Sequence, residues 1–99
     1  MSELLEKQTN KQAVKPPAMW NVIFINDDFT TFEFVQLVIM AIFNKSPEQA
    51  YVLTKSVHES GKAVVGQYSK DIAETKRDIA IEFAKEEGHP LNILLEQNA

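Results

Sequence analysis

The sequence contains no cysteine, which excludes disulfide bonds, thiolate metal sites and a cysteine nucleophile. A glycine-rich phosphate loop, a His-Glu-x-x-His motif and a G-x-S-x-G motif are also missing. No apolar run approaches the ~18 residues needed to span a bilayer, and the first residues, MSELLEKQTNKQ, lack the form of a signal peptide. The net charge of −4 argues against nucleic-acid binding. We therefore expect one soluble cytoplasmic domain that is neither an enzyme nor a nucleic-acid or membrane protein.

The chain divides into a polar beginning and an apolar remainder. Residues 1–17 carry few aliphatic side chains and end in Pro16-Pro17, so they cannot bury enough apolar surface to offset the entropy lost on ordering. We predict a disordered N-terminal extension over 1–17 and a core domain over 18–99. The apolar fraction of 44% over the whole chain is ordinary for a globular protein.

Hydrophobic periodicity predicts six elements in the order β-α-α-β-α-β. They are a strand over 20–26, a helix from Thr31 to about Asn44, a helix from Pro47 to about Gly61, a strand over 62–68, a helix that Ser69 caps and that ends near Gly88, and a strand over 91–95. Few strands, several helices and no repeated βα unit indicate an α+β fold. We expect a two-layer sandwich in which a small antiparallel three-stranded sheet packs against the three helices.

Local sequence patterns indicate where the helices start and which of their faces are buried. Thr30-x-x-Glu33 has the form of a capping box, and Ser46-Pro47-Glu48-Gln49 has it more plainly. Apolar residues on two faces predict a first helix covered on both sides. In the third helix, the predicted buried stripe consists of Ile72, Ala73, Ile79, Ala80, Phe83 and Ala84.

The most unusual segment is Asn26-Asp27-Asp28, which follows the apolar run WNVIFI. It is either a turn, because Asn and Asp bond their own backbone, or an acceptor site for a cation. His58 lies at the edge of the apolar stripe of the second helix, where a half-buried structural role is the main alternative to a ligand contact. A metal site lacks a second usefully spaced histidine, and a hydrolase would need a nucleophile such as Ser56. An ammonium group fits better, because carboxylate, amide and neutral imidazole atoms can all accept its hydrogen bonds.

Three segments together resemble the ClpS family of adaptors: PPAMWNVIFINDDFTTFEFV, VHESGKAVVGQYSKDIAETK and GHPL. Members of this family bind N-degrons, which are proteins with a bulky hydrophobic first residue (Leu, Phe, Tyr or Trp). They deliver them to a ClpA- or ClpC-type AAA+ unfoldase that works with the ClpP protease. The resemblance covers the chain from about Lys15 onward. It implies a non-enzymatic adaptor without cofactors, whose N-terminal tail helps to engage the unfoldase. We expect a monomer, although the sequence does not determine the oligomeric state.

The resemblance also implies roles for single residues. The α-amino group of the substrate would be held by Asn26, Asp28 and His58, with Asp27 in the same acidic motif. The hydrophobic pocket would be formed by Thr30, Phe32, Val35, Thr54, Val57 and Leu91. The surface that docks on the N-terminal domain of the unfoldase would contain Asp71, Glu74, Thr75 and Lys76. Without the resemblance, the simplest interpretation is that Asp71 is an acidic residue at the start of a helix and that Lys76 is a lysine exposed to solvent.

Three positions depart from the family pattern. Phe32 and Thr54 stand where pocket methionines are common, and Thr31 stands where proline is common. Phe adds rigid bulk and Thr removes it, whereas Met adapts to varied shapes. We expect a shifted preference among Phe, Leu, Tyr and Trp, with β-branched first residues still disfavoured. The alternative is a decoy or inhibitor that docks on the unfoldase without binding degrons.

Overall fold

The computed structural model describes residues 18–98, so the extension predicted over 1–17 lies outside the described residues. The six elements are β1 (Met19–Ile25), α1 (Phe32–Phe43), α2 (Pro47–Ser60), β2 (Lys62–Ser69), α3 (Lys70–Glu86) and β3 (Asn92–Asn98). The predicted order and the antiparallel three-stranded sheet are confirmed. Within residues 18–98, none of the helices is long and apolar enough to cross a bilayer.

The central strand of the sheet is β1, which is antiparallel to β2 on one side and to β3 on the other. Trp20 lies opposite Tyr68 on β2 and Gln97 on β3. The register with β2 shifts between Val22 and Ile23, which is the signature of a β-bulge. This central position explains the unbroken apolar run of β1: Val22, Ile23 and Phe24 are all buried.

Helix α1 begins one residue later than predicted, because its cap is Thr31 rather than Thr30. The Thr31 hydroxyl accepts a hydrogen bond from the Phe34 amide at 3.2 Å, as an N-cap residue does. The helix ends at Asn44, which adopts the left-handed conformation (φ 56°). The expectation that α1 is covered on both sides is wrong, since Leu37 and Ala41 are exposed.

Helix α2 has the predicted capping box. The Ser46 hydroxyl accepts from the Gln49 amide, and the Gln49 side chain accepts from the Ser46 amide, each at 3.1 Å. Gly61 ends the helix at φ 90° and its amide donates to the Val57 carbonyl. Glycine adopts this left-handed conformation without the steric cost of a Cβ.

Helix α3 differs from the prediction on its apolar face. Ser69 occupies the N-cap position but its side chain makes no capping hydrogen bond there. Ala73, Ala80 and Ala84 are buried, whereas Ile72 and Ile79 are about half exposed. The predicted stripe was therefore too wide: the isoleucines lie outside it, and α3 packs through its alanines and through Phe83, whose ring centroid lies 5.2 Å from that of Phe34.

Candidate functional site

The segment after β1 is shaped by Asp27. One carboxylate oxygen accepts from the amides of Phe29 (2.8 Å) and Thr30 (2.6 Å), and the other accepts from the Thr30 hydroxyl (2.7 Å). Burial raises the pKa of the Asp27 carboxyl, but the hydrogen bonds and His89 together outweigh this and hold the pKa below its usual value of 3.8. Thr30, which the sequence suggested as a helix cap, instead closes this turn. The turn interpretation of Asn26-Asp27-Asp28 is thus correct for Asp27.

The backbone joins this turn to the end of α2. The Asn26 amide donates to the Gly61 carbonyl at 2.9 Å, directly beyond the pairing of Ile25 with Lys62. Gly61 follows the last turn of α2, which carries His58. The side chains of Asn26, Asp28 and His58 are exposed to solvent. The end of β1 and the end of α2 therefore meet, as the amine-site hypothesis requires, and the half-buried alternative for His58 is wrong.

The imidazole of His58 is stacked on Phe32, the first residue of α1. The two ring centroids lie 5.2 Å apart and the planes differ by 9°. Phe32 also contacts Tyr51 on α2, with ring centroids 5.4 Å apart and an interplanar angle of 54°. This places the expected pocket residue Phe32 beside the expected amine-binding residue His58. Tyr51 was not anticipated from the sequence.

The other expected pocket residues lie in or beside the core. Val35, Val57 and Leu91 belong to the main hydrophobic cluster, and Thr30 and Thr54 are also buried. The Thr54 hydroxyl donates to the Ala50 carbonyl at 2.7 Å, which satisfies its polar group without an external partner. Two open grooves lie elsewhere, one of about 510 Å³ along α3 around Ile79 and Phe83, the other of about 470 Å³ between α2 and β2.

A second histidine, His89, lies close enough to Asp27 to act on its carboxyl electrostatically. Its ring stacks on Phe34, with centroids 4.1 Å apart and planes 18° apart. Its charge contributes to lowering the pKa of Asp27. Within residues 18–98, its buried Nδ1 has no hydrogen-bond partner. The proximity of His89 to Asp27 depends on the return of the chain from α3 to β3.

The expected docking residues lie on the first half of α3, where Asp71 and Thr75 are exposed and Glu74 is half-buried. Lys76 is not the solvated lysine that composition suggested. Its ammonium donates to the Ile42 carbonyl at 2.7 Å and lies 5.3 Å from the centroid of Tyr68 and 5.8 Å from that of Phe43. This lysine joins α3 to the end of α1.

Over residues 18–98, no group of three His, Asp or Glu side chains is arranged to hold a metal ion. The same region presents polar acceptors at the junction of a strand and a helix, beside apolar residues. Such an arrangement can recognise a cationic group attached to an apolar one. Fold and site together define a small binding domain of the α+β class.

Comparison with known proteins identifies the family of this binding domain. The family model described as "ATP-dependent Clp protease adaptor protein ClpS" matches residues 15–94. The chain belongs to the ClpS family of Clp protease adaptors. It is 43% identical to the ClpS of Paraburkholderia phymatum over 95% of this chain and 88% of that protein. It is 41% identical to the ClpS of Ralstonia pickettii over 91% of this chain and 83% of that protein.

A solved structure supports the fold assignment. The structure of Agrobacterium tumefaciens ClpS2 bound to L-phenylalaninamide matches with a TM-score of 0.80 and 37% sequence identity. The match covers 84% of this chain and all of the other one. The resemblance found in the sequence is therefore confirmed, and with it the adaptor class.

Proposed function

We propose that this adaptor binds proteins through a free N-terminal α-amino group and a bulky hydrophobic first side chain. The observation that carries the proposal is the likeness to ClpS2, whose bound ligand, L-phenylalaninamide, combines a free α-amino group with a benzyl side chain. The chemistry of the junction between β1 and α2 is consistent with such a ligand. Asn26, Asp28 and His58 expose acceptor atoms there, and an ammonium group has three N–H bonds to donate.

In this proposal Asp27 acts mainly by shaping the site. Both of its oxygens already accept hydrogen bonds from residues 29 and 30. It fixes the path of the chain between Asn26 and Thr30, and its negative charge adds to that of Asp28. The first side chain of the substrate is accepted by the apolar residues next to this turn: Thr30, Phe32, Val35, Thr54, Val57 and Leu91.

The shape of this apolar set governs which first residues bind. Phe32 brings a rigid ring to the edge of the site, and Thr54 is small and fully buried. We expect Leu, Phe, Tyr and Trp to be accepted in an order set by this pair. A first residue that branches at Cβ adds bulk next to the α-amino group, so an Ile peptide should bind more weakly than a Leu peptide. Equal affinities for the two peptides would refute this expectation.

Fluorescence anisotropy with two peptides tests the proposal directly. One peptide begins with free Phe, and the other is identical but N-acetylated. Acetylation removes the positive charge and two of the donors, so the free peptide should bind and the acetylated one should not. The variants Asn26→Ala, Asp28→Ala and His58→Ala should each weaken binding of the free peptide. Equal binding of both peptides would contradict recognition of the amine.

We propose further that the adaptor delivers its substrates, as a monomer in the cytoplasm, to the N-terminal domain of a ClpA- or ClpC-type unfoldase. Asp71, Glu74 and Thr75 supply exposed or half-exposed polar groups on one stretch of α3, and Lys76 borders it. Titration of the purified N-terminal domain of each unfoldase with wild type and Asp71→Ala would measure docking. Degradation of a Phe-initiated substrate, with and without residues 1–17, would measure delivery.

A decoy is the second candidate function. It is favoured by the burial of Val35, Val57 and Leu91, which leaves a first side chain little room unless neighbouring residues move. A decoy would bind the unfoldase domain but none of the peptides that begin with Phe, Leu, Tyr or Trp. Binding of any of these peptides, abolished by acetylation, would exclude it.

A further inference from the structure

Three aromatic side chains form a continuous contact, which we name the aromatic ladder: Tyr51, Phe32 and His58. Tyr51 and His58 lie on the same helix, α2, seven residues apart. Two helical turns separate them, or about 10 Å along the axis at 1.5 Å per residue. The ring of Phe32, which comes from α1, contacts both of them. Phe32 is therefore wedged between two side chains of one helical stripe.

The two contacts of Phe32 differ in geometry. Its ring is parallel to His58 within 9° and is tilted by 54° against Tyr51. Since the centroids lie 5.2 Å apart in nearly parallel planes, the two rings are offset sideways, and the contact covers part of one face of the imidazole and leaves the edge of the ring free. The two ring nitrogens bond in the plane of the ring, so stacking orients the imidazole without occupying its acceptor. An exposed histidine without such a contact would sample several rotamers.

Thr54 makes room for this arrangement. It lies on the same stripe of α2, between Tyr51 and His58, and it is fully buried with its hydroxyl bonded to the Ala50 carbonyl. A short side chain at this position leaves the space along the stripe to a large ring from α1. Phe32 itself is half-buried at the first residue of its helix, so the Tyr51 ring limits its movement away from His58.

We propose that Tyr51 is a positioning residue of the amine-binding site. Tyr51 holds Phe32 against His58, and Phe32 holds the imidazole in the orientation that accepts a hydrogen bond from the substrate ammonium. The proposal deepens the function proposed above and rests on it for the ligand. The coupling from Tyr51 to His58, however, is a property of the free protein and can be measured without any ligand.

The first measurement is therefore made without peptide, by NMR of the histidine ring protons in the full-length chain. Stacking under Phe32 should shift the His58 ring resonances upfield relative to those of Phe32→Ala. Tyr51→Ala should move them toward the Phe32→Ala positions, and Tyr51→Phe should keep them at the wild-type positions. His89, which stacks on Phe34 instead, provides an internal control whose resonances should stay in place.

The second measurement is the affinity for the peptide beginning with free Phe. Loss of one aromatic contact corresponds to a change of about twofold to tenfold in a dissociation constant. We expect Tyr51→Ala to weaken binding by this factor and Tyr51→Phe to restore it. Val52→Ala is the matched control, because Val52 is the next residue of α2, is 62% exposed and lies outside the aromatic ladder.

The outcomes separate the two proposals. Unchanged His58 resonances in Tyr51→Ala would overturn the positioning role, whatever the peptide does. Weaker binding in both Tyr51→Ala and Tyr51→Phe would overturn it too, since the hydroxyl rather than the ring would then be responsible. If the His58 resonances move as expected but wild type binds no free-amine peptide, the coupling stands and the proposed function fails.

Discussion

Replacing Lys76 with Met tests whether this lysine supports the fold as well as a partner. Its ammonium donates to the Ile42 carbonyl at 2.7 Å, near the end of α1, where helix carbonyls have no intrahelical donor and the dipole favours a cation. It also faces the rings of Phe43 and Tyr68. Lys76→Met keeps the apolar stem and removes only the charged group.

The expected loss follows from these contacts. A hydrogen bond from a charged donor contributes about 1.5 to 3 kcal/mol, and each cation–π contact at a partly exposed site about 0.5 to 1 kcal/mol. Removing the charge also removes the cost of its desolvation, so we expect a net loss of about 1 to 2 kcal/mol. For a chain of this size the midpoint of thermal unfolding should fall by about 4 to 16 °C.

Thermal and urea unfolding of purified Lys76→Met measure this loss, with Lys85→Met as the matched control. Lys85 lies in the last turn of α3 and is exposed, so its replacement should cost only the dipole interaction of an exposed cation, about 0.3 to 1 kcal/mol, and should lower the midpoint less than Lys76→Met does. Equal midpoints for the two variants would refute the structural role of Lys76. If the role is correct, weaker docking by a Lys76 variant reflects partly a loosened α3, and docking must be compared at temperatures where both proteins are folded.

Three further changes follow from the same structure. Asp27→Asn should lower the free energy of unfolding at pH 7 by about 1 to 3 kcal/mol, because an amide nitrogen cannot accept from Thr30. Since the folded Asp27 carboxyl has a lowered pKa, the extra stability of wild type over Asp27→Asn should shrink as pH falls below about 3.8. If urea titrations showed the same difference in free energy of unfolding down to pH 3, the ionised carboxylate would not be its source. Gly66→Ala should cost about 1 to 3 kcal/mol, because a Cβ would lie 2.8 Å from the Tyr68 ring, and an unchanged urea midpoint would refute the clash. Thr54→Met should lower the free energy of unfolding by a similar amount through overpacking, and adding Phe32→Met should recover part of this loss. Strictly additive effects in the double-mutant cycle would contradict the idea that the side chains at positions 32 and 54 share one space.

The order of elements could be predicted because each boundary carries a local signal. The start of α2, for example, is predicted by a capping box whose residues, Ser46, Pro47 and Gln49, lie next to one another in the sequence. The start of α1 was misplaced by one residue because Thr30 and Thr31 are both capable caps. Only the bond from Thr30 to Asp27, a feature of the folded turn, decides between them.

The site residues named from the sequence remain predictions, and the contacts that these side chains make could not be predicted from the sequence. The stack of Phe32 on His58 joins two helices, and the bond from Lys76 to Ile42 joins α3 to α1. Neither contact produces a periodic pattern in the sequence from which it could be predicted, since each depends on how the helices lie relative to one another. For the same reason Ile72 and Ile79 looked like core residues, although the alanines of α3 make the close contact.

The central position of β1 has a consequence for the way this protein folds. In the finished sheet Trp20 lies opposite Tyr68 and Gln97, which both come much later in the sequence. During synthesis β1 therefore emerges before either of the strands with which it pairs. Pairings between distant parts of a chain slow folding, since the loop between them must first close. Until β2 and β3 emerge, an apolar strand with unpaired backbone groups on both edges is open to aggregation. While it is being made, this member of an adaptor family of the Clp protease therefore exposes the kind of unpaired apolar strand that chaperones protect from aggregation.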